Sequence, residues 1–281
     1  MKMFNKVAIV GVGVLGGSLG KDLRAKRMAG EVIGIGRRES SLKKARKVGA
    51  VDTTFLVSRI KDGVKDADLI ILATPVGNIV KLGNVAASYA KDGAIITDVG
   101  STKRDIVEKL EKSMPGRVYF VGSHPMAGSE KGGPLNAERD LFKGRDCFIT
   151  KTENTNNYAL NKIRRFWMMM GSKTITLSPK EHDRIVSKIS HMVHIVASAL
   201  VIANRDVLLH AASGFKDTTR IALADPVLWR DICATNNTNI ARSLDKVIKV
   251  LTKFRDDAAS NNIKRMASML EDAKDLRGSL K

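Results

Sequence analysis

The chain has 281 residues, 43% hydrophobic and 5% aromatic, enough to bury a core in one large or two ordinary domains without disulfide or metal staples. Its 48 Lys and Arg against 29 Asp and Glu leave a formal charge of +19, spread along the whole length with no basic arm and no aromatic-basic interleaving, which argues against nucleic acid and fits anionic small molecules. No uninterrupted apolar run reaches the roughly 18 residues of a membrane span, so no membrane partner is expected, and Cys147 and Cys233 are isolated thiols of the kind found in a reducing, cytoplasmic setting.

The first predicted element is a strand at 7–10, VAIV, which runs directly into GVGVLGGSLG. Gly11, Gly13 and Gly16 fit G-x-G-x-x-G between a strand and a helix, with Val14 and Leu15 completing the turn. The first glycine permits the tight turn, the second lets backbone approach a pyrophosphate, and the third lets helix and strand pack closely. The helix N-terminus then offers unpaired N–H groups to the anion. A secretory leader would need an unbroken apolar helix and a small-residue cleavage site. This run is broken by glycines and continues into KDLRAKR.

A second strand, 31–36, ends in Gly36, Arg37 and Arg38, where an NAD site usually places a carboxylate for the ribose 2′-OH. Two guanidiniums suit a 2′-phosphate, so NADP is the expected cofactor and NAD the alternative; Glu39 remains within reach of a ribose. Further Val- and Ile-rich runs follow at 68–75, 94–99, 118–122 and 146–150, separated by helix-period segments. Near-continuous apolar strands alternating with amphipathic helices predict a Rossmann-type, doubly wound parallel sheet over residues 1–177.

Open parallel sheets bind ligands at the carboxyl ends of their strands. Thr74 and Pro75, Ser101 within Gly100–Thr102, and Ser123, His124 and Pro125 occupy such ends here. His124 is expected on a strand-end loop away from any apolar face, in SHPMAGSEKGG, where glycines leave room for a ligand and Glu130 shares the loop. An imidazole there suits a hydrogen-bond acceptor or base at neutral pH.

From residue 178 only helices are predicted, giving an all-α domain over 178–281. Ser178, Pro179 and Glu181 form a capped helix start, followed by an apolar stripe at Ile185, Ile189, Met192, Val196 and Leu200. Ser187, His191, His194 and Ser198 make a separate polar stripe, the expected wall of a cleft. Lys216, Asp217 and Arg220 follow in GFKDTTR. There Asp217 and Arg220 share a helical face, either as an exposed ion pair or as an Arg held for a substrate carboxylate. Another helix starts at Asp225 and Pro226, and Ile240, Leu244, Val247, Leu251 and Phe254 line a third. Such wide apolar faces exceed what about 100 residues can cover alone, which predicts a homodimer through the helical half. With no HExxH and no acidic cluster near the histidines, no metal is expected.

In order along nearly the whole chain, GVGVLGGSLG, TDVGSTK, GSHPMAGSEKGG, SHMVH, GFKDTTRIA and DPVLWRDI resemble the prephenate and arogenate dehydrogenases of tyrosine biosynthesis. The resemblance implies a short, monofunctional form without a chorismate-mutase segment or ACT domain. The implied reaction is NAD(P)-dependent oxidative decarboxylation of prephenate, with arogenate, or the substrate of another Rossmann-plus-helical hydroxyacid or imino-acid dehydrogenase, as alternatives. It further implies that Ser101 orients His124 and substrate, that Arg220, oriented by Asp217, binds a carboxylate, that His194 meets the side-chain end and that Glu130 lies at the entrance. His191 and Lys216 are the other candidate wall residues. With Asp217 and Glu130 committed, no acid remains for an ammonium, and prephenate is favoured over arogenate.

Overall fold

The structure is a computed structural model and describes residues 2–128 and 132–280; Glu130 therefore lies outside the described residues. Nine strands are present among them: β1 (Phe4–Val10), β2 (Ala29–Gly36), β3 (Thr53–Leu56), β4 (Leu69–Leu72), β5 (Ile95–Asp98), β6 (Tyr119–Val121), β7 (Ser123–Pro125), β8 (Asp146–Thr150) and β9 (Lys173–Leu177). The helices are α1 (Val14–Ala25), α2 (Glu39–Lys47), α3 (Ile60–Val64), α4 (Val76–Tyr89), α5 (Arg104–Ser113), α6 (Asn157–Met169), α7 (Pro179–Val186), α8 (Met192–Ala203), α9 (Ser213–Thr219), α10 (Pro226–Ala259) and α11 (Ile263–Gly278).

β1 to β6 form one parallel sheet in the order β3-β2-β1-β4-β5-β6, the doubly wound topology expected. The period of a strand explains its layers: Val7 and Ile9 of β1 point into one apolar cluster with α1 and α6, while Ala8 and Val10 point into another with α3, α4 and α5. Both faces are covered, which is why the run reads as continuously apolar.

Two features differ from expectation. Residues 146–150 are a strand but do not extend the parallel sheet. β8 is the centre of a separate three-stranded sheet, antiparallel to β7 and parallel to β9. His124 accordingly sits on strand β7, not on a loop, paired opposite Phe148 and only 8% exposed. β3, β7 and β9 were not expected as strands, because two are at most four residues long and β9, an edge strand, is mostly exposed.

By packing, the chain divides into two compact units, 1–236 and 237–281. The expected division at 177 marks where strands give way to helices; α7, α8 and α9 belong to the first unit. Within the range of α10 Asn236 leaves helical geometry (φ −131°, ψ 24°), so that range holds two helices across a kink. In the second unit, the Asn262 side chain caps α11 by accepting from the Arg265 N–H, and Arg265 pairs with Asp257 at 3.4 Å.

The polar and apolar stripes of 187–200 face opposite ways from a simple core helix. Ser187, His191 and His194 are buried, while Ile189, Val193 and Leu200 are exposed. A π-helical turn at Ser187–His191 joins α7 to α8, and Ser178 caps α7 as expected, accepting from the Glu181 N–H at 3.2 Å. The stretch 179–203 is long and apolar enough to cross a membrane by length and composition alone, although charged and polar residues interrupt it.

The turn glycines obey their sequence roles. Gly11 has φ +102° and a Cβ there would lie 2.5 Å from the Ala73 carbonyl oxygen; at Gly16 it would lie 2.0 Å from that of Gly11. Gly13, by contrast, has nothing within 4 Å of a built Cβ. Gly20 of α1 is as tight as Gly16, with the Ala50 oxygen 2.0 Å away. Gly20→Ala should therefore cost about 1–3 kcal/mol by overpacking, whereas Gly13→Ala should leave the urea midpoint near wild type. Equal midpoints for the two variants would contradict this packing.

Candidate active site

A cleft of about 340 Å³ opens at the carboxyl ends of β1, β2 and β4, where the strand order reverses between β1 and β4. Gly11, Gly13, Arg37, Arg38, Thr74 and Pro75 line it, as expected of cofactor residues. Ser41 at the start of α2 and Lys81 of α4 join Arg37 and Arg38 there, a contribution the sequence pattern did not single out. Val14, Leu15 and Gly16 are not on the lining: Val14 and Leu15 begin α1, and Gly16 packs beneath against Gly11.

The cradle fits a dinucleotide phosphate. The N-terminus of α1 has no side-chain cap, its first turn holds no acid, and the open side of Gly13 leaves that end of the helix approachable. Thr74 Oγ1 is buried in the structure with no hydrogen-bond partner, a polar atom available to a ligand in the cleft it lines.

A second constellation collects the histidines. His124 Nδ1 lies 2.9 Å from His182 Nε2, and His182 Nδ1 lies 2.8 Å from Asp183 Oδ1. Asp183 also accepts the backbone N–H groups of Lys103 (2.8 Å) and Arg104 (3.0 Å) at the head of α5. Its carbonyl accepts from Asn236 Nδ2 at 2.9 Å, and that amide also lies 3.1 Å from His191 Nδ1. The other nitrogen, His191 Nε2, is buried beside the Ser101 backbone with no hydrogen-bond partner among the described residues. Both contacts of the amide are made by Asn236 Nδ2, at the residue where α10 leaves helical geometry.

His194 stacks on Trp229 with ring centroids 3.5 Å apart and an interplanar angle of 6°, and its Nδ1 is buried without a partner among the described residues. Trp229 also meets His191 edge-on at 6.0 Å. Thr102 and Thr235 share a hydrogen bond at 2.9 Å, bringing the first turns of α10 against the β5 end. Beneath lie Lys103 and Asp98, both fully buried and paired with each other; Asp98 also accepts the N–H groups of Gly100 and Ser123.

Lys216, Asp217 and Arg220 are exposed, away from these buried contacts. α9 ends at Thr219, whose hydroxyl bonds the Phe215 carbonyl, and the chain tightens into a 3-10 turn at Arg220. Asp217 lies in the last turn of α9, and Arg220 begins the 3-10 turn after it with its backbone still helical (φ −50°, ψ −39°). His191, expected as a wall residue, is buried with its Nδ1 3.1 Å from Asn236 Nδ2. Among the described residues no group of three or more His, Cys, Asp or Glu side chains is placed to hold a metal ion.

Sequence reasoning passed over His182, Asp183, Trp229 and Asn236. Extending the polar stripe back by one helical step from Ser187 reaches Asp183, a signal that was present. His182 gave none, since its partner comes from β7.

Electrostatics follow from burial. Desolvation, then the neighbouring His182 and Lys103, hold His124 well below the ordinary imidazole range; His182 is lowered the same way by burial, Lys103 and His191. Burial takes His191 down to about 4 against the pull of Asp183, and lowers His194 as well. Burial raises the Cys147 thiol, in keeping with a packing role.

The molecule can therefore hold a dinucleotide at the switch point and present neutral imidazoles on the same unit. Comparison with known proteins agrees. The model of the prephenate dehydrogenase nucleotide-binding domain matches residues 19–176, and that of the prephenate dehydrogenase dimerization domain matches 178–272.

The chain belongs to the prephenate dehydrogenase family.

It is 33% identical to the prephenate dehydrogenase of Bacillus subtilis over 99% of this chain and 77% of that one. The structure of prephenate dehydrogenase from A. aeolicus with hydroxyphenyl propionate and NAD+ superposes with a TM-score of 0.92, at 30% identity over 99% of this chain and 98% of that one. Synechocystis arogenate dehydrogenase gives 0.80 at 28% identity, covering 98% and 100%. Members of this family are NAD-dependent oxidoreductases, and this chain shares their parallel nucleotide-binding domain and helical C-terminal half.

The depressed histidines make stability depend on pH. Between their folded values and about 6.5 the unfolded chain binds more protons than the folded one, so the stabilisation is complete above about 6.5 and is lost as pH falls. His191 alone accounts for up to about 3 kcal/mol of that loss toward pH 4. Denaturant midpoints should fall over that range, and His191→Gln should flatten the fall; a profile unchanged by the substitution would be inconsistent with a buried, neutral His191.

Proposed function

We propose that this chain catalyses the NAD(P)-dependent oxidative decarboxylation of prephenate to 4-hydroxyphenylpyruvate, with His124 as the group that receives the ring hydroxyl. The observation that carries this reading is the state of His124: nine-tenths buried, neutral at working pH, and held at Nδ1 by a histidine partner. An imidazole whose conjugate acid is so disfavoured takes a strong hydrogen bond from the hydroxyl as the C–O bond gains carbonyl character. Bound nicotinamide would supply the hydride acceptor. Loss of the ring carboxylate as CO2 leaves an aromatic ring, so the protein's task is chiefly positioning and exclusion of water.

Gly11, Gly13, Thr74 and Pro75 would hold the dinucleotide, and Ser101 would orient His124 and substrate. His194, flattened on Trp229, would present its ring edge to the substrate side chain, and Arg220 would bind a carboxylate, with Lys216 and Asp217 nearby on α9. In this reading 1–177 carries the cofactor and 178–281 the substrate contacts and dimer contacts. Arg37, Arg38, Ser41 and Lys81 in the lining of the cleft favour NADP over NAD, since cationic and hydroxyl donors suit a 2′-phosphate. The apolar outward face of the 187–203 stretch, with Ile189 57% and Ile202 71% exposed, supports a homodimer through the helical half. The two free thiols, Cys147 and Cys233, fit a cytoplasmic location. Arogenate is the second reading, favoured by the likeness to the Synechocystis enzyme.

Reduced-nicotinamide formation with prephenate and with arogenate, each with NADP and NAD, tests the assignment. The expected order in kcat/KM is prephenate over arogenate and NADP over NAD, with Arg37→Ala and Arg38→Ala weakening NADP selectively. An advantage for arogenate or NAD would reverse the corresponding preference. His124→Asn should lower kcat roughly 100-fold or more with little change in KM; a near-normal kcat would remove His124 from the chemistry. Light scattering should give twice the chain mass at micromolar concentration, and a monomer would contradict the dimer.

A further inference from the structure

His124 belongs to β7, whereas His182 and Asp183 are adjacent on α7, and hydrogen-bond bookkeeping along the three assigns every proton. An ionised carboxylate only accepts. Asp183 is met by three N–H donors: Lys103 N at 2.8 Å, Arg104 N at 3.0 Å and His182 Nδ1 at 2.8 Å. His182 therefore carries its hydrogen on Nδ1. A neutral imidazole has a single N–H, so His182 Nε2 is a lone pair, and it lies 2.9 Å from His124 Nδ1. That contact is a hydrogen bond only if His124 donates from Nδ1, which leaves its Nε2 unprotonated.

We propose that His182 and Asp183 are positioning residues that fix the His124 proton on Nδ1 and so keep Nε2 as the acceptor for the substrate hydroxyl. This rests on the reading of His124 as the receiving group. Asp183 is itself immobilised by the two backbone N–H groups at the head of α5, so the chain of contacts ends on a rigid element. Both rings stay neutral in this arrangement first because burial disfavours an imidazolium and then because of nearby positive charge, against the Asp183 carboxylate that faces His182. Lys103 lies beside both from the head of α5, its charge balanced by Asp98 of β5, and His191 faces them from the π-helical turn. Cys147 of β8, which also packs near this group, keeps its proton because burial raises its thiol. A ring left without an acceptor at Nδ1 would bury an unpaired N–H in that tautomer and shift toward the Nε2–H form, which has no lone pair at the reacting position.

The test compares His182→Leu, which removes the acceptor, with His182→Gln, whose side-chain oxygen can replace Nε2, and records the 15N spectrum of His124 in the wild-type enzyme at pH 7.5. The proposal expects an Nδ1-protonated His124 in the wild type. It expects a fall in kcat of roughly 10- to 100-fold for Leu at nearly unchanged KM, the fold-change of leaving one buried donor unpaired. It expects Gln to recover at least half of that loss on a logarithmic scale. An Nε2-protonated His124 in the wild type, a Leu variant within threefold of wild-type kcat, or a Gln variant no better than Leu would each overturn it. Should the Leu variant fail to fold, the wild-type spectrum decides alone, Nδ1–H supporting the proposal and Nε2–H overturning it. His124→Asn separates the two levels. If it keeps full kcat, the reading of His124 as the receiving group fails. If it is inactive while the His182 variants are fully active, only the positioning role fails.

Discussion

Three N–H groups converge on the carboxylate of Asp183, and much of the buried histidine cluster hangs from that point. Two are the backbone donors of Lys103 and Arg104, which no carbonyl within α5 can satisfy; the third is the ring of His182. A helix of the C-terminal half thus supplies the cap for a helix of the parallel-sheet half. The same contact orients an imidazole toward β7. The Asp183 carbonyl then engages Asn236, whose amide reaches His191. One side chain and its own peptide carbonyl therefore link the head of α5, β7, α7 and the first part of α10.

Around this anchor the molecule buries an unusual concentration of titratable groups. Asp98 and Lys103 are entirely enclosed, as are four histidines to within a few per cent. Burying an ion pair is costly unless each charge is also hydrogen-bonded, and Asp98 meets that condition by accepting from Gly100 and Ser123 besides Lys103. The imidazoles resolve the same cost differently, by staying neutral. An imidazole held uncharged can accept a hydroxyl hydrogen bond without first losing a proton. The cationic excess of the chain has no role in these buried contacts; its effect is on the field outside, which attracts a dianionic substrate.

Helix polarity is the other organising feature. In most surface helices the apolar stripe turns inward. Between 187 and 200 the polar stripe does so instead, its histidines engaged with Asn236 and Trp229, and apolar side chains are left outward. The stretch consequently resembles a membrane-spanning helix by composition while carrying Ser187, His191 and His194 on its protected side. The free outward face and the occupied inward face are two consequences of one sequence pattern.

Local chemistry made much of this legible in advance. Glycine spacing after a β-branched strand specified the dinucleotide turn, because only glycine tolerates the φ of +102° at residue 11 and the 2.0 Å approach at residue 16. Continuous apolar runs specified a sheet covered on both faces, and Ser178 with Pro179 specified a helix start. Paired arginines after β2 marked one wall of the cleft. These are properties of short segments, decided by backbone sterics and periodicity within a few residues. What the tertiary structure alone decided are the partnerships between segments distant in sequence. It moved 146–150 out of the parallel sheet, because β8 found β7 and β9 as neighbours. It set His182 against His124 across 58 positions and His191 against Asn236 across 45. Hydrogen bonds formed across such separations leave no period in the sequence, since the residues between them can vary in number and kind without changing the distance that matters.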